Sequence, residues 1–114
     1  MDKKINVDFI IEALKVKVEN KEAQFDANFF IETAAKLNLL LGDEADKLFD
    51  LKQKVAQLKI IWLDGQEKRN VSECKLRVEA SEEFKEMLRQ EAKVKRCEQF
   101  IMIAKKMSDV ARGL

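Results

Sequence analysis

The stretch from residue 43 to residue 64, DEADKLFDLKQKVAQLKIIWLD, decides the fold. Its apolar residues alternate at intervals of three and four positions: Leu48, Leu51, Val55, Leu58 and Trp62. This spacing places them in one stripe along an α-helix, and such a stripe needs a facing helix to cover it. We therefore predict an amphipathic helix with these five residues as its core seam. For Trp62 the core is favoured over the alternative of an interface anchor, because it continues the stripe.

The residues that precede this seam predict where its helix begins. Gly42 is expected to end the helix before it, because glycine is common just past a helix end. Asp43 and Glu44 are then expected in the first turn, where carboxylates interact favourably with the positive end of the helix dipole.

The N-terminal third predicts two further helices. Asn6 and Asp26 are the expected N-caps, because their side chains can accept hydrogen bonds from the first free amides. The first helix carries one apolar stripe, formed by Val7, Ile11, Leu14 and Val18. The second carries another, formed by Phe30, Ala34, Leu37 and Leu41. Additional apolar residues widen this second stripe, which predicts burial on more than one side of the helix: Phe29, Ile31, Leu39 and Leu40.

The C-terminal 50 residues read as one long helix or as two helices divided near Ser81. The chain has no proline and only three glycines, so few residues interrupt the helical pattern. Val71, Cys74 and Val78 form a stripe that is out of phase with the later one, which favours a break capped by Ser81, with Glu82 and Glu83 in the new first turn. The later stripe is a heptad seam for which we predict self-association: Met87, Gln90, Val94, Cys97, Ile101, Ala104 and Ser108.

These patterns predict an all-α fold of three or four amphipathic helices in a bundle, with a long C-terminal helix that either projects or is kinked. We expect one helical domain over residues 1–114, in which residues 1–64 form the core helices and residues 65–114 a C-terminal arm. Gln90 interrupts the otherwise apolar C-terminal seam. A polar residue at such a position fixes register or oligomer state when it finds a matching partner.

The composition argues against an enzyme. The 114 residues include no histidine and no tyrosine, which removes the commonest general base and the commonest neutral metal ligand. Two cysteines are too few for a zinc site, which takes four ligands. One helicase sequence motif is matched by Asp43, Glu44, Ala45 and Asp46, but no phosphate-binding glycine loop accompanies it. We predict no catalytic residues, no metal and no cofactor.

The charge distribution leaves nucleic-acid binding as an alternative. Residues 1–64 hold 10 Lys against 12 acids, whereas residues 65–114 hold 12 Lys or Arg against 9 acids. Seven basic residues of the last helix are candidates for contact with single-stranded nucleic acid: Lys85, Arg89, Lys93, Lys95, Arg96, Lys105 and Lys106. Interleaved glutamates and a scarcity of aromatic residues favour a solvated helix face instead.

Neither the spacing of the two cysteines nor the hydropathy of the chain suggests export. Cys74 and Cys97 lack the spacing of a disulfide scaffold, and no run of about 18 apolar residues is present, so we expect reduced thiols, no membrane span and a cytoplasmic location. Basic neighbours of Cys97 allow a redox-sensing thiol, but a small buried seam residue is the favoured interpretation.

The segment from Ser81, SEEFKEMLRQEAKVKRCEQFIMIAKKMSDVARGL, resembles the closing helix of small all-helical accessory proteins of tailed bacteriophages. It is also similar, more faintly, to the recombination-mediator family of T-even phages. The resemblance covers the C-terminal third and carries over no functional residue. It implies a non-catalytic oligomer in the host cytoplasm that binds proteins, or nucleic acid with their help.

Taken together, the sequence predicts a non-catalytic helical module for protein–protein interaction, an inhibitor or an adaptor. It is expected to form homo-oligomers and to bind a protein partner whose identity the residues do not encode. The alternative function is that of a recombination-mediator-like oligomer on single-stranded nucleic acid.

Overall fold

The computed structural model describes residues 6–20, 26–64 and 71–113 of the chain. Within these ranges the fold is all-α, as predicted, with four helices and no strand. The helices are α1 (Val7–Glu19), α2 (Ala27–Asp64), α3 (Val71–Glu79) and α4 (Glu82–Ala111). A helix of 30 residues, such as α4, is about 45 Å long.

The predicted N-caps of the first two helices are present. The Asn6 Oδ1 atom accepts a hydrogen bond of 2.8 Å from the Phe9 amide, and the Asp26 Oδ1 atom accepts one of 3.2 Å from the Phe29 amide. Each bond satisfies an amide that has no partner within its helix.

The prediction that Gly42 ends a helix is wrong, because α2 runs through it without a break. The single helix Ala27–Asp64 replaces the two predicted helices, so Asp43 and Glu44 lie in a helix interior. The reason is that the apolar stripe keeps its phase across the glycine, from Leu37 and Leu41 to Leu48. A single glycine in a helix costs about 1 kcal/mol relative to alanine, too little to break such a long helix.

The predicted break near Ser81 is confirmed. Helix α3 ends at Glu79 and α4 begins at Glu82. The Ser81 hydroxyl donates to the Val78 carbonyl at 2.5 Å and accepts from the Phe84 amide at 3.2 Å. One side chain thus serves both the end of α3 and the start of α4.

The chain divides into two compact units, and both α2 and α4 contribute to each of them. Unit 1 comprises residues 1–43 and 95–114, and unit 2 comprises residues 44–94. The single domain expected over residues 1–114, with core helices in residues 1–64 and an arm in residues 65–114, stays a prediction.

The core of unit 1 is formed by α1, the first part of α2 and the last part of α4. It contains two clusters of buried residues. One consists of Val7, Ile10, Ile11, Leu37, Cys97 and Ile101, and the other of Leu14, Phe30, Ala34 and Ala104. Burial of one large apolar side chain contributes roughly 1.5–3 kcal/mol, so both clusters stabilise unit 1.

The expectation that α2 is buried on more than one side is wrong for part of its face. Ile31 is 43% exposed and Leu39 is 78% exposed. Phe29 and Leu40 are half-buried. In the predicted stripe, Phe30, Ala34 and Leu37 are buried and Leu41 is half-buried, so this side of α2 is covered more completely than the side of Ile31 and Leu39.

In unit 2, α3 and the adjoining part of α4 pack beside α2. Cys74, Val78 and Val94 are its buried apolar residues among those described. Val55 of α2 lines a cleft together with Val78 of α3 and Phe84 of α4. In the predicted α3 stripe, Cys74 and Val78 are therefore buried, whereas Val71 is 61% exposed.

We predict that Gly42→Ala stabilises the protein. Gly42 is exposed, its φ is not positive, and a Cβ atom added there meets nothing within 4 Å. Alanine restricts the unfolded chain and favours the helix, so the free energy of unfolding should rise by roughly 0.5–1 kcal/mol. Urea denaturation followed by circular dichroism at 222 nm measures this.

The matched control is Gly113→Ala, where φ is +75° and alanine would be strained. The control should give no gain. A loss of stability in Gly42→Ala would contradict a continuous α2.

Candidate interaction surfaces

A buried polar cluster in unit 2 joins α2 to α4. The Gln90 side-chain amide donates to the Glu44 Oε2 atom at 2.6 Å and to the Glu44 backbone carbonyl at 2.8 Å. The Glu44 side chain is 8% exposed, and its Oε1 atom lies 3.6 Å from the Lys93 ammonium and 3.5 Å from that of Lys47. The partner that Gln90 was predicted to need is thus a residue of the same chain.

The surroundings of Glu44 keep its carboxylate charged. Burial is the largest single effect and raises the pKa. The hydrogen bond from Gln90 and the charges of Lys93 and Lys47 together lower the pKa by more. The pKa of Glu44 therefore lies below its ordinary value of 4.5. A charge buried with such partners is satisfied, whereas removal of a partner leaves an expensive unpaired group.

Sequence reasoning missed Glu44 as a buried residue. Its position carries a signal, because Glu44 lies four residues before Leu48 and seven before Leu51, in the register of the α2 stripe. An acid in an apolar stripe, together with Gln90 in the apolar stripe of α4, predicts a polar pair.

The α4 seam that was predicted to self-associate is largely covered within the chain. Cys97, Ile101 and Ala104 lie in the core clusters of unit 1, and Ser108 is 4% exposed. Val94 is 8% exposed in unit 2, where Met87 and Gln90 are half-buried. Contacts within a single chain do not test self-association through this seam, which stays a prediction.

The core seam predicted for α2 is half-buried along its whole length. None of Leu48, Leu51, Val55, Leu58 and Trp62 reaches full burial in unit 2. Trp62 is likewise half-buried. Unit 2 therefore covers this stripe less completely than unit 1 covers its own.

Acidic side chains lie beside Lys85, Lys93 and Arg96, which belong to the basic residues proposed for nucleic-acid contact. Lys85 lies 3.6 Å from Glu82, Lys93 lies 3.6 Å from Glu44, and Arg96 lies 3.7 Å from Asp8. Arg96 also stands 5.9 Å from the centre of the Phe100 ring. The structure places Lys85, Arg89 and Lys93 in unit 2 and the other four basic residues in unit 1, namely Lys95, Arg96, Lys105 and Lys106.

Both cysteines are buried, and neither forms a disulfide. The Cys97 Sγ atom donates to the Leu37 carbonyl at 3.5 Å, and the Cys74 Sγ atom donates to the Lys59 carbonyl at the same distance. These contacts fit the favoured interpretation of Cys97 as a packed residue of the α4 stripe.

Large apolar side chains are exposed on all four described helices, and sequence reasoning missed seven of them, on α1, α2 and α4, as surfaces. On α1 these are Phe9 and Val16, on α2 Phe49, Ile60 and Ile61, and on α4 Met102 and Ile103. A signal for them exists, because each lies off the apolar stripe of its own helix. Clustered exposed apolar residues mark surfaces that bind other proteins.

No family model, curated protein or solved structure matches the chain. In the part of the chain that the structure describes, no group of three or more acidic or cysteine side chains is placed to hold a metal ion. None of the described helices combines the length and the apolar character needed to cross a bilayer.

We predict that the Glu44 carboxylate makes stability depend on pH. Its pKa is lowered by folding, so its contribution is fully present above pH 4.5 and is lost as the pH falls through the lower value of the folded state. Glu44→Gln should cost roughly 1–3 kcal/mol at neutral pH and should flatten the fall in stability below pH 4.5. Urea denaturation at a series of pH values measures both effects.

Glu86→Gln, at an exposed position of α4, is the control for the loss of one carboxylate. Its pH profile should keep the slope of the unmodified protein. If Glu44→Gln shows that slope too, Glu44 is not the group responsible.

Proposed function

We propose that this chain is a non-catalytic helical protein that binds another protein and also itself, and that it acts as an inhibitor or an adaptor in the cytoplasm. The resemblance of its C-terminal third to accessory proteins of tailed bacteriophages is in keeping with this role. The partner presents an apolar groove that receives one face of α2.

The apolar surface of α2 in unit 2 carries this proposal. Phe49 is 60% exposed and Ile60 is 59% exposed. With Gln53 and Ala56 they follow the spacing i, i+4, i+7, i+11, which places all four on one helix face, the α2 outer face. Anchors at this spacing are how amphipathic helices dock into hydrophobic grooves.

The other side of the same helix supports the proposal. The half-buried seam lies roughly opposite the α2 outer face, so this part of α2 has apolar residues on two sides. Covering the α2 outer face removes apolar area from water, and the gain is roughly 25 cal/mol for each Å² buried.

The alternative function, on single-stranded nucleic acid, has less support. Acidic partners at Lys85, Lys93 and Arg96 reduce the positive field that would attract phosphates. Phe84 and Phe100 of α4 are half-buried, which limits their use as platforms for bases.

The proposal is tested by capture of partners from the organism that encodes the chain. The immobilised protein should retain a partner that Ile60→Lys binds at least tenfold less tightly, or roughly 1.4 kcal/mol, because the change places a charge in the docked face. Isothermal titration with the purified partner measures the difference.

Leu39→Lys is the matched control, because Leu39 belongs to the same helix, is more exposed and lies outside the α2 outer face. It should bind as the unmodified protein does. Equal binding by Ile60→Lys, or retention of no partner at all, would overturn the proposal. Retardation of a single-stranded oligonucleotide that disappears with added salt would favour the alternative.

A further inference from the structure

The outward face of α4 in unit 1 carries a small apolar centre. Met102 is 70% exposed, and it lines a shallow groove with Gln99, Ile103 and Lys106. Ile103 also borders a second groove, whose wall is formed by Leu14 and Val18 of α1. The apolar surface therefore continues from Met102 toward α1 within the unit.

The charges on both sides of Met102 form an antisymmetric pattern. Residues three, four and seven positions away share its helix face. Before Met102 the pattern has Lys95 at seven positions and Glu98 at four; after it come Lys105 and Lys106 at three and four positions and Asp109 at seven. All these side chains are exposed.

Such a pattern is complementary to itself when two helices run antiparallel. In a two-fold contact centred on Met102, residues before the centre face residues after it on the other copy, and each contact occurs twice. Glu98 then lies opposite the Lys105 and Lys106 pair of the other copy. Lys95 lies opposite the Asp109 of that copy. A parallel pair in the same register would instead place like charges together, which is unfavourable.

From this charge pattern and the exposed apolar centre we infer that a second copy of this chain docks on the outward face of α4, antiparallel, with Met102 at the two-fold axis. This inference rests on the self-association in the proposed function and names its surface. It leaves the Cys97–Ile101–Ala104 face buried inside each chain. The α2 outer face lies in the other unit and is not used.

A charge exchange tests this inference. Glu98→Lys places three positive charges together at each contact, and the double change Lys105→Glu with Lys106→Glu places three negative charges together. Each variant alone should raise the dimer dissociation constant by roughly tenfold or more, because like charges face each other. An equimolar mixture of the two should recover dimers, since each contact again joins opposite charges.

Sedimentation velocity over a concentration series measures the dissociation constants, and circular dichroism verifies that the variants keep their helices. Glu32→Lys, an exposed charge reversal on α2, is the control and should leave dimerisation unchanged. The attraction in the mixture should weaken with added salt.

The outcomes separate this inference from the proposed function. A dimer that both variants retain, or weakened variants whose mixture does not recover, would overturn the antiparallel contact and leave self-association standing. A strictly monomeric unmodified protein would overturn both the contact and the self-association. Partner binding through α2 is measured independently by Ile60→Lys.

Discussion

The burial of one face of α4 by α1 and α2 is the constraint on which the rest of the structure depends. Cys97, Ile101 and Ala104 sit in the two core clusters of unit 1, and the Cys97 thiol donates to the Leu37 carbonyl. A helix face covered in this way has no apolar area left to offer. The outward face of this part of α4, where Met102 and its flanking charges lie, is the face that we propose for a second copy.

Unit 2 is held by a different balance of interactions. Its α2 stripe is only half-buried, and the contact with α4 includes the buried hydrogen bonds between Glu44 and Gln90. Buried polar pairs add little net stability, but a mismatched pairing of the helices would leave Glu44 unsatisfied, and this fixes the register. The Glu44–Gln90 hydrogen bonds therefore align α2 and α4 in unit 2, while the α2 stripe keeps apolar surface that its neighbouring helices do not cover.

Local features of this chain followed from sequence, whereas features set by neighbouring helices did not. The caps at Asn6, Asp26 and Ser81 depend on side chains next to the amides they serve, and all three are present. The low helix propensity of Gly42 predicted a helix end, but the apolar stripe of α2 keeps its phase across this residue and the helix continues. The exposure of Leu39 and the burial of Glu44 depend on which faces other helices cover, and periodicity within one helix cannot specify that. The charge pattern on the outward face of α4 is visible in the sequence. The sequence does not show that this face is exposed, because that depends on the other helices covering the opposite face.

The most direct test is the reactivity of the Cys97 thiol in a Cys74→Ala variant, so that a single cysteine reports. Labelling by a thiol reagent is followed over a range of protein concentrations that extends well below any self-association. If α4 is covered within each chain, labelling should stay slow and should not depend on concentration, because the thiol is buried even in the monomer. Labelling that becomes fast on dilution would show that a second copy covers this face, and would contradict the burial of α4 within the single chain.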